Sequence, residues 1–342
     1  MPRRDPHQPA ERLLVVMPTW FGDCIMATPT LRAFRRLWPN CQITILLRES
    51  LVGLMEGLPF VDEMIAIPKD GRGSSAFGVA SRLRGSGFDT AVLLPNSFRS
   101  AAITAMAMIP RRVGYDRDGR GLLLTDRLVP RRDGQTFLPV PTLDYYLSLA
   151  QYFGFEPHDG DHMMEVATRA EDDERAAELL APAKGRPVVL LNPGAQKLMK
   201  RWPAERFAQL AGRCYHELGA AVAVTGSPDE RGVLARVTGA ATTTIIDLPK
   251  AGMNVRLLKS VSKLSAVMVT NDTGPRHLAA ATDTPVVTLF GPTTPDWTEI
   301  GFEKERQVIA AEAGHPESMR NIGVDEVFAC VRDLLERYPV QA

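Results

Sequence analysis

The sequence predicts an α/β protein built from two doubly wound domains, and three observations lead there. Short apolar, β-branched runs alternate with longer helical patterns along almost all of the 342 residues. Runs such as VVLL and VVTLF are apolar nearly throughout, which suits parallel strands covered on both faces. The alternation occurs twice, on either side of a polar stretch at residues 156–173, in a chain longer than one hydrophobic core usually supports. We therefore expect a boundary near residues 160–180, with a first domain at 1–165 and a second at 170–342.

In the first half the strands are expected at 13–17, 42–47, 63–67 and 90–95, with helices at 25–38, 76–84 and 97–108. In the second half the strands fall at 188–192, 221–225, 244–248, 267–271 and 286–290. Their intervening helices fall at 204–218, 230–237, 255–264 and 274–282. The last segment, 324–338, is amphipathic, with Val327, Val331, Leu334 and Leu335 on one face, and packing back across the first domain is open to it. Glycine-bearing segments at 71–78 and 114–121 read as mobile loops. Two such domains facing one another would form a cleft lined by the carboxyl ends of both sheets, where α/β proteins bind ligands.

Composition narrows the function. An apolar fraction of 45% and a charged fraction of 23% describe an ordinary globular protein. Forty basic and forty acidic side chains give no overall pull toward nucleic acid. Cys24, Cys41, Cys214 and Cys330 form no C-x-x-C pair, which fits a reducing, cytoplasmic setting. No signal-peptide core precedes Leu13 and no apolar run reaches bilayer length, so any membrane contact is expected to be peripheral.

Four strand ends carry candidate chemistry. The first strand runs into Pro18-Thr19-Trp20-Phe21-Gly22-Asp23, where Asp23 reads either as a helix cap or as a base at a sheet edge. The first strand of the second domain leads into NPGAQKLMKRWP, where Lys200 reads as a charge on a phosphate or as a solvated loop cation. Asn271-Asp272-Thr273-Gly274 opens another helix, so Thr273 and the N–H groups around Gly274 suit a phosphate and Asp272 suits sugar hydroxyls, unless Asp272 is an ordinary cap. His277 lies one turn into that helix. A third turn, Phe290-Gly291-Pro292-Thr293-Thr294-Pro295, ends the next strand. Together these describe a diphosphate site without a G-x-G-x-x-G or Walker loop.

No metal is expected. Asp116-Arg117-Asp118 and Asp159-Gly160-Asp161 have no clustered oxygen ligands around them, and the six histidines lack ligand spacing. Residues 99–132 hold eight arginines against three aspartates, an excess of five positive charges. Such a stretch suits an anionic acceptor or an acidic membrane surface, or is simply a solvated face.

With those residues in view, the chain resembles the lipopolysaccharide heptosyltransferases, most of all their heptosyltransferase II branch. The resemblance rests on VVMPTWFGDCIMATPTLRAFR, NPGAQKLMKRWPAERFAQLA and VTNDTGPRHLAAATDTPVVTLFGPTTP, and spans nearly the whole chain. It implies the GT-B fold, two Rossmann-like domains around a cleft, and metal-independent, inverting transfer of heptose from ADP-heptose to an inner-core hydroxyl. The first domain would then hold an anionic, lipid-linked saccharide acceptor and the second the nucleotide sugar, with no cofactor and no obligate protein partner. By the same resemblance Asp23 is the catalytic aspartate and Lys200 the phosphate-binding lysine. Asp272, Thr273, Gly274 and His277 hold the donor, while Glu230 and Met253 lie near its nucleoside. The chain departs from many relatives in lacking cysteine at 310–319, AAEAGHPESM, and in following D-T-G with Pro275-Arg276. The alternatives are a related transferase using another nucleotide sugar, a nucleotide-sugar binder without turnover, and an epimerase on the same fold.

Overall fold

A computed structural model describes Asp5, residues 8–134 and residues 136–339. The first unit runs to Glu165 and includes Asp296–Ile300, and the second takes Val166–Pro295 and resumes at Gly301.

In the first unit the chain order is β1 (Arg12–Val16), α1 (Phe21–Met26), α2 (Thr28–Leu37), β2 (Gln42–Arg48), α3 (Val52–Met55), β3 (Glu63–Ile67), α4 (Ala76–Leu83) and β4 (Thr90–Leu93). There follow α5 (Phe98–Met106), β5 (Arg111–Tyr115), β6 (Asp126–Leu128), a short antiparallel pair β7 (Arg132–Asp133) and β8 (Thr136–Phe137), and α6 (Thr142–Gln151). The six strands β1–β6 form one parallel sheet in the order β3-β2-β1-β4-β5-β6. β1 is buried from Leu13 to Val16 because both sheet faces are covered, so it cannot alternate apolar with polar residues. One face carries the core of Val79, Leu83, Leu93, Ala101 and Ile103 from α4, α5 and the sheet.

The helix expected at 25–38 is two helices that meet at Ala27. Pro29 has no N–H to continue the ladder of α1, and Thr28 Oγ1 donates to Ile25 O at 2.7 Å, closing the junction. β5 and β6 carry too many charges to read as strands, RRVGY and DRL. Arg111, only 3% exposed, pairs with Asp126 of β6 at 3.5 Å, which lets charged residues sit in the sheet. The segment 114–121, expected as a mobile loop, is anchored instead. Gly114 belongs to β5, and buried Arg120 donates to Tyr115 O at 3.0 Å and to Ser100 Oγ at 3.2 Å.

The second unit repeats the plan with α7 (Ala170–Leu180), β9 (Val188–Asn192), α8 (Ala204–Glu217), β10 (Ala221–Val224), α9 (Arg231–Ala240), β11 (Ile245–Asp247) and α10 (Val255–Lys263). It continues with β12 (Val267–Asn271), α11 (Gly274–Ala281), β13 (Val286–Phe290), β14 (Glu305–Ile309) and α12 (Val324–Arg337). The strand order is β11-β10-β9-β12-β13-β14, all parallel. Helix α7 begins within the polar stretch 156–173 and fills the second half of the boundary expected at 160–180. It carries five acidic residues but buries Ala176, Leu179 and Leu180 toward α10, and Arg256 clasps Asp172 at 3.0 Å.

The final helix belongs to the second unit. α12 packs on α8 and on β12–β14, and its Val327, Phe328, Val331 and Leu334 complete the core that holds Trp202 and Phe207. Leu335, expected on the stripe, is only partly buried. Among the described residues no helix is long and apolar enough to cross a membrane.

Leu334 is fully buried, so Leu334→Ala should destabilise the second unit by about 2–5 kcal/mol. Urea unfolding would register this as a lower midpoint for the transition that buries Trp202, followed by its fluorescence.

Candidate active site

Asp23 owes its setting to the turn after β1. Met17 N bonds Leu46 O at 2.9 Å, carrying the strand one residue further, and the chain then turns at Pro18. Cys24 Sγ donates to Pro18 O at 3.1 Å and ties the helix start to that turn. Trp20, extended at φ −104° and ψ 146°, is the N-cap of α1, and no side chain caps it. Asp23 is therefore not a cap. Among the described residues its carboxyl group has neither a hydrogen bond nor an ion pair, and burial alone pushes its pKa up to about 6.

The carboxyl group borders a cavity of about 380 Å³ within the first unit, lined also by Trp20, Asn96, Arg117, Tyr145 and Trp297. Its far wall is held by stacking and hydrogen bonds. The rings of Tyr115 and Tyr145 stack at 3.8 Å, and Tyr115 OH donates to Tyr145 O at 3.0 Å. Tyr145 OH in turn donates to Asn96 Oδ1 at 3.0 Å, which Arg120 also approaches at 3.4 Å. Asn96, Tyr145 and Trp297 escape sequence reading because no motif marks them. Arg120 was visible only as one of eight arginines, and burial singles it out.

In the second unit the strand order reverses between β9 and β12, and the residues proposed for a diphosphate gather at those carboxyl ends. Lys200 Nζ lies 2.7 Å from Asp272 Oδ2 and 3.3 Å from Asp272 O. Thr293 Oγ1 donates to the same Oδ2 at 2.8 Å, so the third turn braces the pair. Burial would raise the Asp272 pKa, but the Lys200 ammonium, the Thr293 hydrogen bond and Arg276 together hold it below the usual carboxylate range. Asp272 is 7% exposed and its carboxylate is occupied in aiming Lys200, which leaves little of it for sugar hydroxyls. An ammonium has three donors, so Lys200 keeps capacity for an anion. Arg201 differs from its neighbour: its Nε donates to Ala195 O at 2.7 Å and closes the loop.

Thr273 is the extended N-cap of α11 with no side-chain cap bond, which leaves the positive end of that helix uncovered by its own side chain. The Thr273 hydroxyl instead joins Asn192 Nδ2 at 3.4 Å and Thr270 Oγ1 at 3.2 Å. Asn271 Nδ2 donates to Pro193 O at 3.1 Å and Gly194 O at 3.0 Å, binding the loop after β9 to the loop after β12. His277 is buried, and burial followed by the Arg276 charge pushes its pKa down to about 3. It is neutral near pH 7 and adds no charge to the site. Its Nδ1 has no hydrogen-bond partner among the described residues.

Glu230 and Met253 sit farther along the same edge, after β10 and β11. Glu230 Oε2 accepts from Ser227 N at 2.7 Å and Ser227 Oγ at 2.9 Å in a capping box. Its carboxylate also packs on Gly194, where a Cβ would stand 2.1 Å from Oε1 and push the Glu230 side chain aside. Met253 Sδ lies 3.7 Å from Thr225 Oγ1 beside the buried core. The two unusual features of the sequence also gain a reason. Arg276 is fully buried and forms a two-pronged bond to Glu305 of β14, at 2.6 and 2.9 Å, with Thr288 donating to Glu305 at 2.5 Å. Segment 310–319 lies across the end of β13, where Met319 packs so closely on Gly291 that a Cβ there would meet its sulfur at 2.5 Å.

Residues 77–322 match glycosyltransferase family 9 (heptosyltransferase). The chain belongs to this family. It is 30% identical over 313 residues to lipopolysaccharide heptosyltransferase 2 of Salmonella typhimurium, covering 87% of each chain. It is 29% identical to lipooligosaccharide heptosyltransferase 2 of Haemophilus influenzae, covering 84% of this chain and 85% of that one. Among solved structures, ADP-heptose lipopolysaccharide heptosyltransferase II of E. coli superimposes with a TM-score of 0.82 at 25% identity, over 95% of this chain and 99% of that one. The protein is a family 9 glycosyltransferase, and its two parallel six-stranded sheets are the Rossmann-like units of the GT-B fold.

In this glycosyltransferase the unpartnered carboxylate lowers stability, and the sign can be worked out. The folded pKa of Asp23, about 6, exceeds its unfolded value of 3.8, so the folded form holds the proton more tightly. The penalty is absent below pH 3.8, grows as pH rises toward 6 and is complete above it, at about 3 kcal/mol. Asp23→Asn should therefore stabilise the protein by on the order of 1–3 kcal/mol at pH 8 and leave it unchanged near pH 4. Denaturant melts of both proteins at the two pH values test this. In the second unit, Glu305→Ala removes the two-pronged carboxylate partner of a fully buried guanidinium and should cost about 3–5 kcal/mol, read in the same melts.

Proposed function

We propose that this chain transfers heptose from ADP-heptose to a hydroxyl of an inner-core lipopolysaccharide acceptor, with inversion at the anomeric carbon. The observation that carries the proposal is Asp23, a half-buried carboxylate without a protein partner among the described residues, beside a cavity and with its pKa raised to about 6. A group so placed is ionised near neutral pH yet basic enough to take a proton, which is what a general base requires. The names of the relatives supply the donor and acceptor classes.

In the reaction, Asp23 removes the proton of the acceptor hydroxyl as that oxygen bonds the anomeric carbon. The bond from that carbon to the ADP oxygen breaks, and negative charge collects on the leaving diphosphate. Lys200, aimed by Asp272, and the start of α11 at Thr273–Gly274 stabilise that charge. Glu230 and Met253 lie where the nucleoside end would extend along the same strand edge. No step requires a metal. The acceptor is an anionic, lipid-linked saccharide, and the protein works in the cytoplasm with at most peripheral contact with the inner membrane.

A nucleotide-sugar binder without turnover is the second reading. It has no use for a base held at a cost in stability, and Asp23 weighs against it. Another nucleotide sugar as donor is separated by incubating the protein with a core oligosaccharide and several ADP- and UDP-sugars. Mass spectrometry should show a gain of one heptose from ADP-heptose; a gain from a different sugar alone would replace the donor. Asp23→Asn should lower kcat by roughly 10²–10⁴-fold with little change in donor affinity. The wild-type kcat/KM should fall on the acid side with an apparent pKa near 6. Lys200→Met should lower kcat by roughly 10²–10³-fold. A flat acid profile, or full turnover by Asp23→Asn, would remove Asp23 from this role.

A further inference from the structure

The chain has four tryptophans, and their exposures divide them sharply. Trp38 and Trp202 are core residues at 6% and 1%, whereas Trp20 and Trp297 are 54% and 46% exposed. Both exposed indoles line the cavity that Asp23 borders. A large apolar ring left half in water is a loss unless something covers it, and two of them on one cavity point to a ligand with apolar faces. The same cavity is lined by Arg117 and Arg131. The Arg117 guanidinium lies over the Phe137 ring at 3.9 Å, bonds the Tyr145 hydroxyl and meets Asp118 at 3.8 Å, which leaves donors of its five N–H groups for an anion.

The two tryptophans reach the cavity by different routes. Trp20 is the N-cap of α1, three residues before Asp23. Trp297 comes from Asp296–Ile300, the short stretch that joins the first unit from between Pro295 and Gly301. Thr142 Oγ1 donates to Trp297 O at 3.0 Å and pins the backbone at the start of α6, leaving the indole to the cavity. Their fixed positions make them platforms rather than wandering surface groups.

We propose that Trp20 and Trp297 form an aromatic platform that stacks on a sugar ring of the acceptor, with Arg117 and Arg131 taking an acidic group on that ring or its neighbour. The axial C–H bonds of a pyranose carry partial positive charge, and the electron-rich face of an indole attracts them while the ring's apolar patch is buried. A planar guanidinium suits a carboxylate or phosphate by the same preorganisation. The platform rests on the acceptor half of the proposed function: it turns the acceptor so that one hydroxyl meets Asp23. Trp297 is thus a positioning residue for the reaction, and its substitution acts on acceptor KM.

The test uses the full chain. In Asp23→Asn protein, titration with a deacylated inner-core oligosaccharide should quench the intrinsic fluorescence, and Trp20→Phe and Trp297→Phe should each remove part of the quench. A neutral disaccharide of similar size should bind at least tenfold more weakly. With Asp23 restored, Trp297→Ala should raise acceptor KM roughly tenfold, with kcat and donor KM within twofold and an unchanged melting temperature, and Trp297→Phe should recover most of the loss. An unchanged acceptor KM in Trp297→Ala, or no quench by any acidic saccharide, overturns the platform. Equal binding of the neutral disaccharide overturns the role given to the arginines. Quenching without heptose transfer would sink the proposed reaction while leaving the platform standing, so the two failures are told apart.

Discussion

Everything chemical in this protein depends on parallel strand order. In both sheets the first strand of the unit lies in the middle, and the crossovers on its two sides leave in opposite directions. Every strand-to-helix turn therefore opens at one edge, and the turns flanking the reversal separate to leave a crevice. Asp23 follows β1 and Asn96 follows β4, the two strands at the reversal in the first sheet. Lys200 follows β9 and Asp272 follows β12, the equivalent pair in the second. Move one strand and the pairs no longer meet.

Within that frame, two aspartates at strand ends are driven to opposite electrostatic states. Asp272 is buried but meets Lys200, Thr293 and Arg276, which overcome the cost of burial and keep it charged. Asp23 is half-buried with none of these, and its pKa rises to about 6. The paired one is a fixed charge that aims a lysine, and the unpaired one can exchange a proton. The contrast assigns the proposed anchor and the proposed base without appeal to motif, since only a carboxyl group with no protein partner is free to act on something else.

Two buried arginines elsewhere in the chain have a different use. Arg276 reaches from α11 to Glu305 on the edge strand β14 and ties the helix at the proposed diphosphate site to the rim of its sheet. Arg120 does comparable work in the first unit by donating to Tyr115 O and leaning on Asn96. Both side chains are fully buried, and both hold walls of the candidate sites in place. With buried Arg111, Arg120 also explains why the stretch 99–132 is not simply a solvated face.

The amino-acid pattern by itself determined the fold class, the nine most apolar strands and the three strand-end motifs. Continuous apolar runs and helix periodicity are local properties, and local rules read them. Strands β5, β6 and β14, with the sequences RRVGY, DRL and ERQVI, were out of reach, because their charges are tolerated only through partners distant in sequence. Helices α6 and α7 were missed for a related reason: their polar faces conceal stripes that only a neighbouring helix reveals. Asp23 could be picked out by position, but cap and base look alike in one dimension. Tertiary structure set the cap aside, by making Trp20 the N-cap of α1 and leaving the half-buried carboxylate without a donor among the described residues. It also decided what no pattern could contain, that Tyr145, Asn96 and Trp297 share one cavity with it, since residues brought together from three distant segments leave no common trace in the chain.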